Sequence, residues 1–452
     1  MMSPVSMSDD AFRRELGDGL VLRWSTADDT ERLVQLYSMV FREGPDEPPD
    51  TAIAAWTRDL MSGRHPLISP TDFALVEDTR SGAVVAGTCL LSQVCEYGGI
   101  PFPMGRPELV ATDEAYRNRG FIRVIFELIH ARSAAKGHLA QGISGIAYYY
   151  RQFGYEYALD MGGSRRVYVP AIPKLEAGAT EPFHLRDAMP EDLPLLLALY
   201  DRERAPALVS ARVDEQYLRW RLAGATPEAG GRTRMIVTAE GRAVGCVVCE
   251  HLRREESLHV WQVTVASGVS LVAVLPSVLR ALRDQAATSA APGAPPVSSI
   301  TFELGRTHPV YEALGDALAA TPRPPYAWYV RVPDLPAFIR HVAPVLEQRL
   351  AASVLTGYSG DLLLDFYRGG LRLAFEDGRL KVAEEWRRPV WGKEQSGFPP
   401  LVFLQLLLGY RSLDELRHTY PDVTAGDHAT PGAPLLLKTL FPPQPSWLVE
   451  LN

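Results

Sequence analysis

The chain has 452 residues, of which 46% are apolar and 22% charged, a folded globular composition with room for about three domains. Its 46 basic and 54 acidic residues leave a net charge of -8, which argues against bulk nucleic-acid binding and permits a cationic substrate. No apolar run approaches the roughly 18 residues of a membrane span, and the N-terminus shows no signal-peptide core, so a cytoplasmic protein without membrane insertion is expected.

In chain order, the first ten or so residues read as disordered. Residues 22–41 give a strand end, a capped turn and an amphipathic helix. The proline-rich segment Gly44–Asp50 interrupts them before a second helix at about Thr51–Met61. Strands follow at Phe73–Glu77 and Val84–Val94, joined through Arg80, Ser81 and Gly82.

The stretch Glu108–Gly137 organises the rest. The apolar run Leu109–Ala111 reads as a strand, and Ile122, Ile125, Phe126 and Ile129 repeat at helical spacing. Between them stand Arg117, Asn118, Arg119 and Gly120. A helix that starts there leaves its first amides unpaired, glycine lets a bulky anion approach, and two guanidinium groups add charge. A pyrophosphate suits such a turn. Further on, Gly142–Ala147 reads as a strand, Tyr148–Phe153 as a short helix and Tyr155–Tyr157 as the start of another strand, completing a mixed α/β layer.

A repeat then emerges. Residues 185–200 echo residues 22–37, with Arg23 and Arg186, Asp29 and Asp192, and Tyr37 and Tyr200 coinciding. The second copy has no arginine pair before a helix-opening glycine in residues 260–282, so it reads as structural. Within it, Cys246 and Cys249 form a C-x-x-C in an apparent strand; their odd separation sets them on opposite faces, and no metal site is expected. From Asp334 onward a helix over 334–351, strands over 360–366, 370–375 and 378–384, and helices over 398–406 and 411–418 suggest a smaller α+β domain.

Two segments resemble a known family, the GCN5-related N-acetyltransferases (GNAT). Arg117-Asn118-Arg119-Gly120-Phe121-Ile122 resembles their acetyl-CoA motif, departing from it at Ile122, where the family has a small residue. Tyr149–Ala158, YYRQFGYEYA, resembles their Tyr-x-x-x-Gly-Phe/Tyr signature. The whole chain resembles the multidomain enhanced-intracellular-survival branch, which includes a mycobacterial aminoglycoside acetyltransferase. That resemblance implies tandem GNAT folds plus a sterol-carrier-protein-like α+β domain, with boundaries 15–165 (catalytic), 182–332 (degenerate) and 334–452. It implies acetyl-CoA held by Leu109, Val110, Ala111 and Thr112 and by Arg117, Asn118, Arg119, Gly120, Phe121 and Ile122. Tyr150 takes the place of the general acid, and the α-carboxylate of Asn452 that of a base. The expected acceptor is a small cationic amine, and the branch implies a homo-oligomer of up to six chains. A protein lysine acceptor, or a non-enzymatic lipid or small-molecule carrier working through the last domain, are the alternatives.

Overall fold

The computed structural model describes residues 5–253, 255–291, 293–387, 396–426 and 432–448. The chain first forms β1 (Arg13–Gly17), β2 (Leu20–Trp24), α1 (Thr30–Val40), α2 (Thr51–Met61), β3 (Phe73–Asp78), β4 (Ala83–Tyr97), β5 (Ile100–Thr112), α3 (Phe121–Ala135), β6 (Ala140–Ile143) and β7 (Glu156–Met161). It continues through β8 (Arg165–Tyr168), β9 (Phe183–Asp187), α4 (Leu193–Arg204), β10 (Val209–Ala211), α5 (Glu215–Ala223), β11 (Gly231–Thr238), β12 (Ala243–Glu250) and β13 (Ser257–Val265). Then come α6 (Leu271–Thr288), β14 (Ser299–Phe302), α7 (Pro309–Leu314) and β15 (Tyr326–Arg331). The last part holds α8 (Leu335–Ala351), β16 (Gly360–Asp365), β17 (Gly370–Glu376), β18 (Arg379–Glu385), β19 (Ser396–Gly397), α9 (Phe403–Leu407), α10 (Leu413–Thr419) and α11 (Ala433–Leu440).

These strands build three sheets. The first runs β1-β2-β3-β4-β5-β6-β15-β7, with β10 added to β4; the second runs β8-β14-β13-β12-β11-β9, and the third β18-β17-β16-β19. Period-two alternation gives the first sheet two apolar faces. Phe73 and Leu75 pack with Leu33 and Leu36 of α1 and Leu60 of α2, while Ala74 and Val76 pack with Ile125, Leu128 and Ile129 of α3. Helix α2 starts where it does because the Asp50 side chain accepts from the amides of Ala52 and Ile53, ending the proline-rich segment. Cys246 and Cys249 fall into different cores on the two faces of β12.

Two sequence expectations change. Residues 6–10 are tied down rather than loose: the Trp24 indole donates to the Met7 carbonyl at 2.8 Å, and Asp10 pairs with the buried Arg132 at 2.7 Å. Nor do contiguous ranges describe how the sheets close. β15, from the range 182–332, lies between β6 and β7 and is antiparallel to both, while β8, from the connector after the first range, completes the second sheet against β14. Hydrophobic pattern marks each strand, but pairing partners this far apart leave no local signal. The segment after Asp334 also shares one core with the first sheet, where Phe338 packs on Phe102 with ring centres 5.4 Å apart.

The repeated residues do the same job twice. Arg23 forks onto Asp29 with two bonds of 2.8 Å, and Arg186 forks onto Asp192 at 2.6 and 2.7 Å; each carboxylate also accepts a turn amide, from Thr26 and Met189 respectively, at 2.8 Å. Asp29 is fully buried and is also reached by Arg32. Burial alone would raise its pKa, but Arg23 and the Thr26 amide take it below the usual range. That contribution to stability is present above the ordinary aspartate value of about 3.9 and is lost as pH falls through the lowered folded one. Asp29→Ala leaves Arg23 half-buried without its main partner and is expected to cost about 3–5 kcal/mol, read as a lower urea midpoint of the first unfolding transition.

Candidate active site

Strands β5 and β6 run parallel but pair only at Met104 with Ala140 and Gly105 with Gln141. Beyond Gly105 they part, and the β6-facing edge of β5 from Arg106 to Thr112 has no strand beside it among the described residues. Opposite Gly87–Cys89 the β4–β5 register slips, and Leu109 sits in the bulge with φ of 54°. The sheet thus opens as a wedge whose wall is backbone able to pair with an extended, amide-bearing molecule.

The basic turn closes one end of this wedge. Asn118 and Gly120 have φ of 65° and 77°, so the chain reverses tightly before α3. Five successive N–H groups, from Asn118 to Ile122, find no acceptor among the described residues; the first bonded amide of the helix is that of Arg123, to the Gly120 carbonyl at 3.1 Å. A Cβ placed on Gly120 would meet nothing within 4 Å, so the space in front of the turn is open. Arg117 is half-exposed, with a 4.0 Å contact to Glu114 its only ion pair among the described residues, and Arg119 lies 5.1 Å over the Tyr116 ring. Free amides, open space and two guanidinium groups fit a diphosphate.

Tyr150 closes the other end. It lies in the 3-10 turn Tyr149–Phe153, which stops at Gly154 because φ of 85° there suits only glycine without strain. Its ring packs with Val110, Ile122, Phe126 and Tyr329 in one cluster, so the residues singled out on β5, on the turn and near Gly154 converge. The side chain is buried, yet its hydroxyl has no hydrogen-bond partner among the described residues. Burial, with a smaller part from the nearby Glu108 charge, pushes the phenol well above its ordinary pKa.

Further groups came into view only with the fold. Glu108 shares the wedge-facing side of β5 with Arg106, at strand spacing of two residues, and accepts from its guanidinium at 2.8 Å. Burial raises the Glu108 pKa against the pull of Arg106. Arg106 itself stacks 4.5 Å from the centre of Trp328 on the exchanged strand. That strand also brings Tyr329, which donates to the Tyr157 hydroxyl at 2.6 Å, and Tyr326, whose hydroxyl lies 2.8 Å from it. Below them Tyr155 donates to Gln141 at 2.9 Å and meets His130 at 3.1 Å; burial holds His130 down at about 4, neutral at pH 7. The alternating Arg106 and Glu108 were readable in the sequence, whereas Tyr329 gave no signal, since it comes from nearly 180 residues downstream of Tyr150. Asn452 lies outside the described residues. Before it, Pro445 and Trp447 run parallel to β10 and bond to Leu208, Val209 and Ala211.

Residues 22–158, which carry this wedge, the basic turn and Tyr150, match the family model described as acetyltransferase (GNAT) domain. The first part of the chain is therefore a GNAT-type acetyltransferase domain, and the enzyme class is acyltransferase. Solved structures extend the likeness of fold along nearly the whole chain. A probable N-acyltransferase of unknown function from Enterococcus faecalis superposes with a TM-score of 0.66 at 14% identity, covering 95% of this chain and 99% of its own. A GCN5-related N-acetyltransferase from Kribbella flavida gives 0.64 at 19% identity, covering 96% and 98%. Eis1 from Mycobacterium abscessus gives 0.57 at 17%, covering 94% and 98%. No curated protein matches the chain. Among the described residues, no helix is long and apolar enough to cross a membrane, and no cluster of ligating side chains could hold a metal ion.

Proposed function

We propose that the protein is an acetyl-CoA-dependent N-acetyltransferase acting on a primary amine of a small cationic molecule. The row of five unpaired amides at Asn118–Ile122, set at the mouth of a splayed sheet, carries this reading. Those amides with Arg117 and Arg119 would hold the diphosphate, and the open edge from Leu109 to Thr112 would pair with the pantetheine amides. Bound there, acetyl-CoA supplies the acetyl group as a thioester. Tyr150, kept protonated by burial, is placed to give a proton to the departing thiolate. Glu108, whose charge is felt by the Tyr150 phenol, takes the role of proton acceptor from the amine, directly or through water. Glu43, Asp46 and Glu47 lie exposed between α1 and α2 with no ion pair among the described residues, which favours a cationic acceptor.

The twin Arg–Asp clamps support two copies of one fold, the second without the amide row. Helix α8 against the three antiparallel strands β16–β18 supports a sterol-carrier-like third unit, and an assembly of up to six chains belongs to the same resemblance. A carrier role for that unit finds less support, because Leu362, Leu364, Leu371, Leu373 and Phe375 are buried in the shared core.

Calorimetric titration of the full chain with acetyl-CoA tests the reading. One saturable site per chain is expected, and no binding at millimolar acetyl-CoA would sink it. A second prediction separates the base from its surroundings. The raised Glu108 pKa means that its basic form, and the rate, fall as pH drops through a value above the ordinary glutamate pKa of about 4.3. Glu108→Gln is expected to lower kcat/KM by about 10²-fold and to remove that acid limb. An unchanged limb would take Glu108 out of the mechanism.

A further inference from the structure

A second cavity shares Trp328 with this site but lies against the second sheet. About 770 Å³ in volume, it opens where the second sheet splays. Strands β13 and β14 pair in parallel only from Ser257 to Val260, and the Glu303 amide bonded to the Val260 carbonyl at 2.8 Å is the last link. From Trp261 to Val265 the β14-facing edge of β13 has no strand beside it among the described residues and borders the cavity. Such an edge pairs with extended amides.

Two charged side chains on the cavity wall make no ion pair with an arginine, lysine or carboxylate among the described residues. Glu203 of α4 is almost wholly buried, its side chain 6% exposed, and it is held by the Thr264 hydroxyl and by His308 Nε2 at 2.9 Å. The Val310 amide donates to His308 Nδ1 at 3.3 Å, which turns Nε2 toward Glu203 as the donor. Both partners of Glu203 are therefore donors, and no arginine or lysine pairs with it among the described residues. Arg221 of α5, half-buried on the same wall, makes no ion pair among the described residues; Tyr217 is its polar neighbour. An unpaired charge in a partly dry site is costly unless a ligand matches it.

We propose that this cavity binds a zwitterionic, peptide-like small molecule, its ammonium on Glu203, its carboxylate on Arg221 and its amides along Trp261–Val265. The site binds without transferring. Tyr311, set four residues before Gly315 as Tyr150 is before Gly154, has its hydroxyl committed: it donates to the Phe302 carbonyl at 2.9 Å and accepts from the Leu304 amide at 3.1 Å. The connection into α6 has no basic turn, and Ser270 caps that helix with its own side chain, so a diphosphate has no cradle there. The inference is independent of the transfer reaction proposed above.

The test is calorimetry on the full chain with three probes: triglycine, N-acetyl-triglycine, which lacks the ammonium, and triglycine amide, which lacks the carboxylate. Triglycine is expected to saturate one site, with each altered probe at least tenfold weaker, the scale of one charge-assisted bond. In Glu203→Gln, triglycine and N-acetyl-triglycine should bind equally, and in Arg221→Gln, triglycine and its amide should, with melting temperatures confirming folded variants. A Gly120→Val chain should bind triglycine as the parent does. Equal binding of all three probes, no triglycine binding at millimolar concentration, or loss of binding in Gly120→Val would overturn the proposal. Should Glu203→Gln fail to fold, the order of the three probes on the parent chain decides alone.

Discussion

Gly120→Val is expected to keep its fold and to bind acetyl-CoA at least about 10²-fold more weakly. The fold should survive because a Cβ added at Gly120 meets no protein atom within 4 Å. What remains is the left-handed backbone, φ 77°, which costs a non-glycine residue roughly 1–2 kcal/mol. That is a lowered melting temperature, not collapse. Binding is different, because the new methyl groups stand where the diphosphate must reach the amides of Asn118–Ile122. Losing two charge-assisted bonds of about 1.5–3 kcal/mol each gives the expected factor or more. Calorimetric titration beside a thermal melt checks both halves. A variant that binds acetyl-CoA as tightly as the parent would move the anion site elsewhere.

For Tyr150→Phe the two readouts part company. The turnover rate is expected to fall about 10²-fold or more, the usual scale for a positioned proton donor, while acetyl-CoA affinity and melting temperature stay as they were. The reason lies in the hydroxyl. It makes no hydrogen bond to the described protein, so its removal leaves no donor or acceptor stranded, and the ring packing with Phe126 and Tyr329 persists. A structural role would show in the melt. The pH profile adds a sign: a proton donor is lost as pH rises through its pKa, and burial lifts this one, so its alkaline limb should lie above the ordinary tyrosine value of about 10. A full rate in Tyr150→Phe would leave Tyr150 as packing only.

How far the sequence anticipated this arrangement depends on the range of each interaction. Local features were legible: the helix Thr51–Met61, the turn Arg117–Gly120 and the short helix before Gly154 all follow from spacing, caps and glycine within a few residues. The echo of Arg23 and Asp29 in Arg186 and Asp192 was legible too, because the same two-residue clamp was written twice. Glu108 was visible but silent; only its burial beside Arg106 and Tyr150 distinguishes it from any strand glutamate. The anchored N-terminus and β1 were missed, since a polar segment gives no pattern when one tryptophan and one arginine hold it. Tyr329 could not have been assigned, because its place depends on which strand β15 joins.

That placement bears on how the protein is made. A ribosome delivers residues in order, at about 5–20 per second, and N-terminal units ordinarily fold as they emerge. Here the seven strands from Arg13 to Met161 are all available while the slot between β6 and β7 still waits for Tyr326–Arg331. Some 165 residues must be added first, roughly 8 to 33 seconds of synthesis, during which two strand edges stay unpaired. The first sheet is thus finished from downstream, and a nascent chain halted before Tyr326 carries every acetyl-CoA contact proposed above yet lacks the strand that packs Tyr329 against Tyr150.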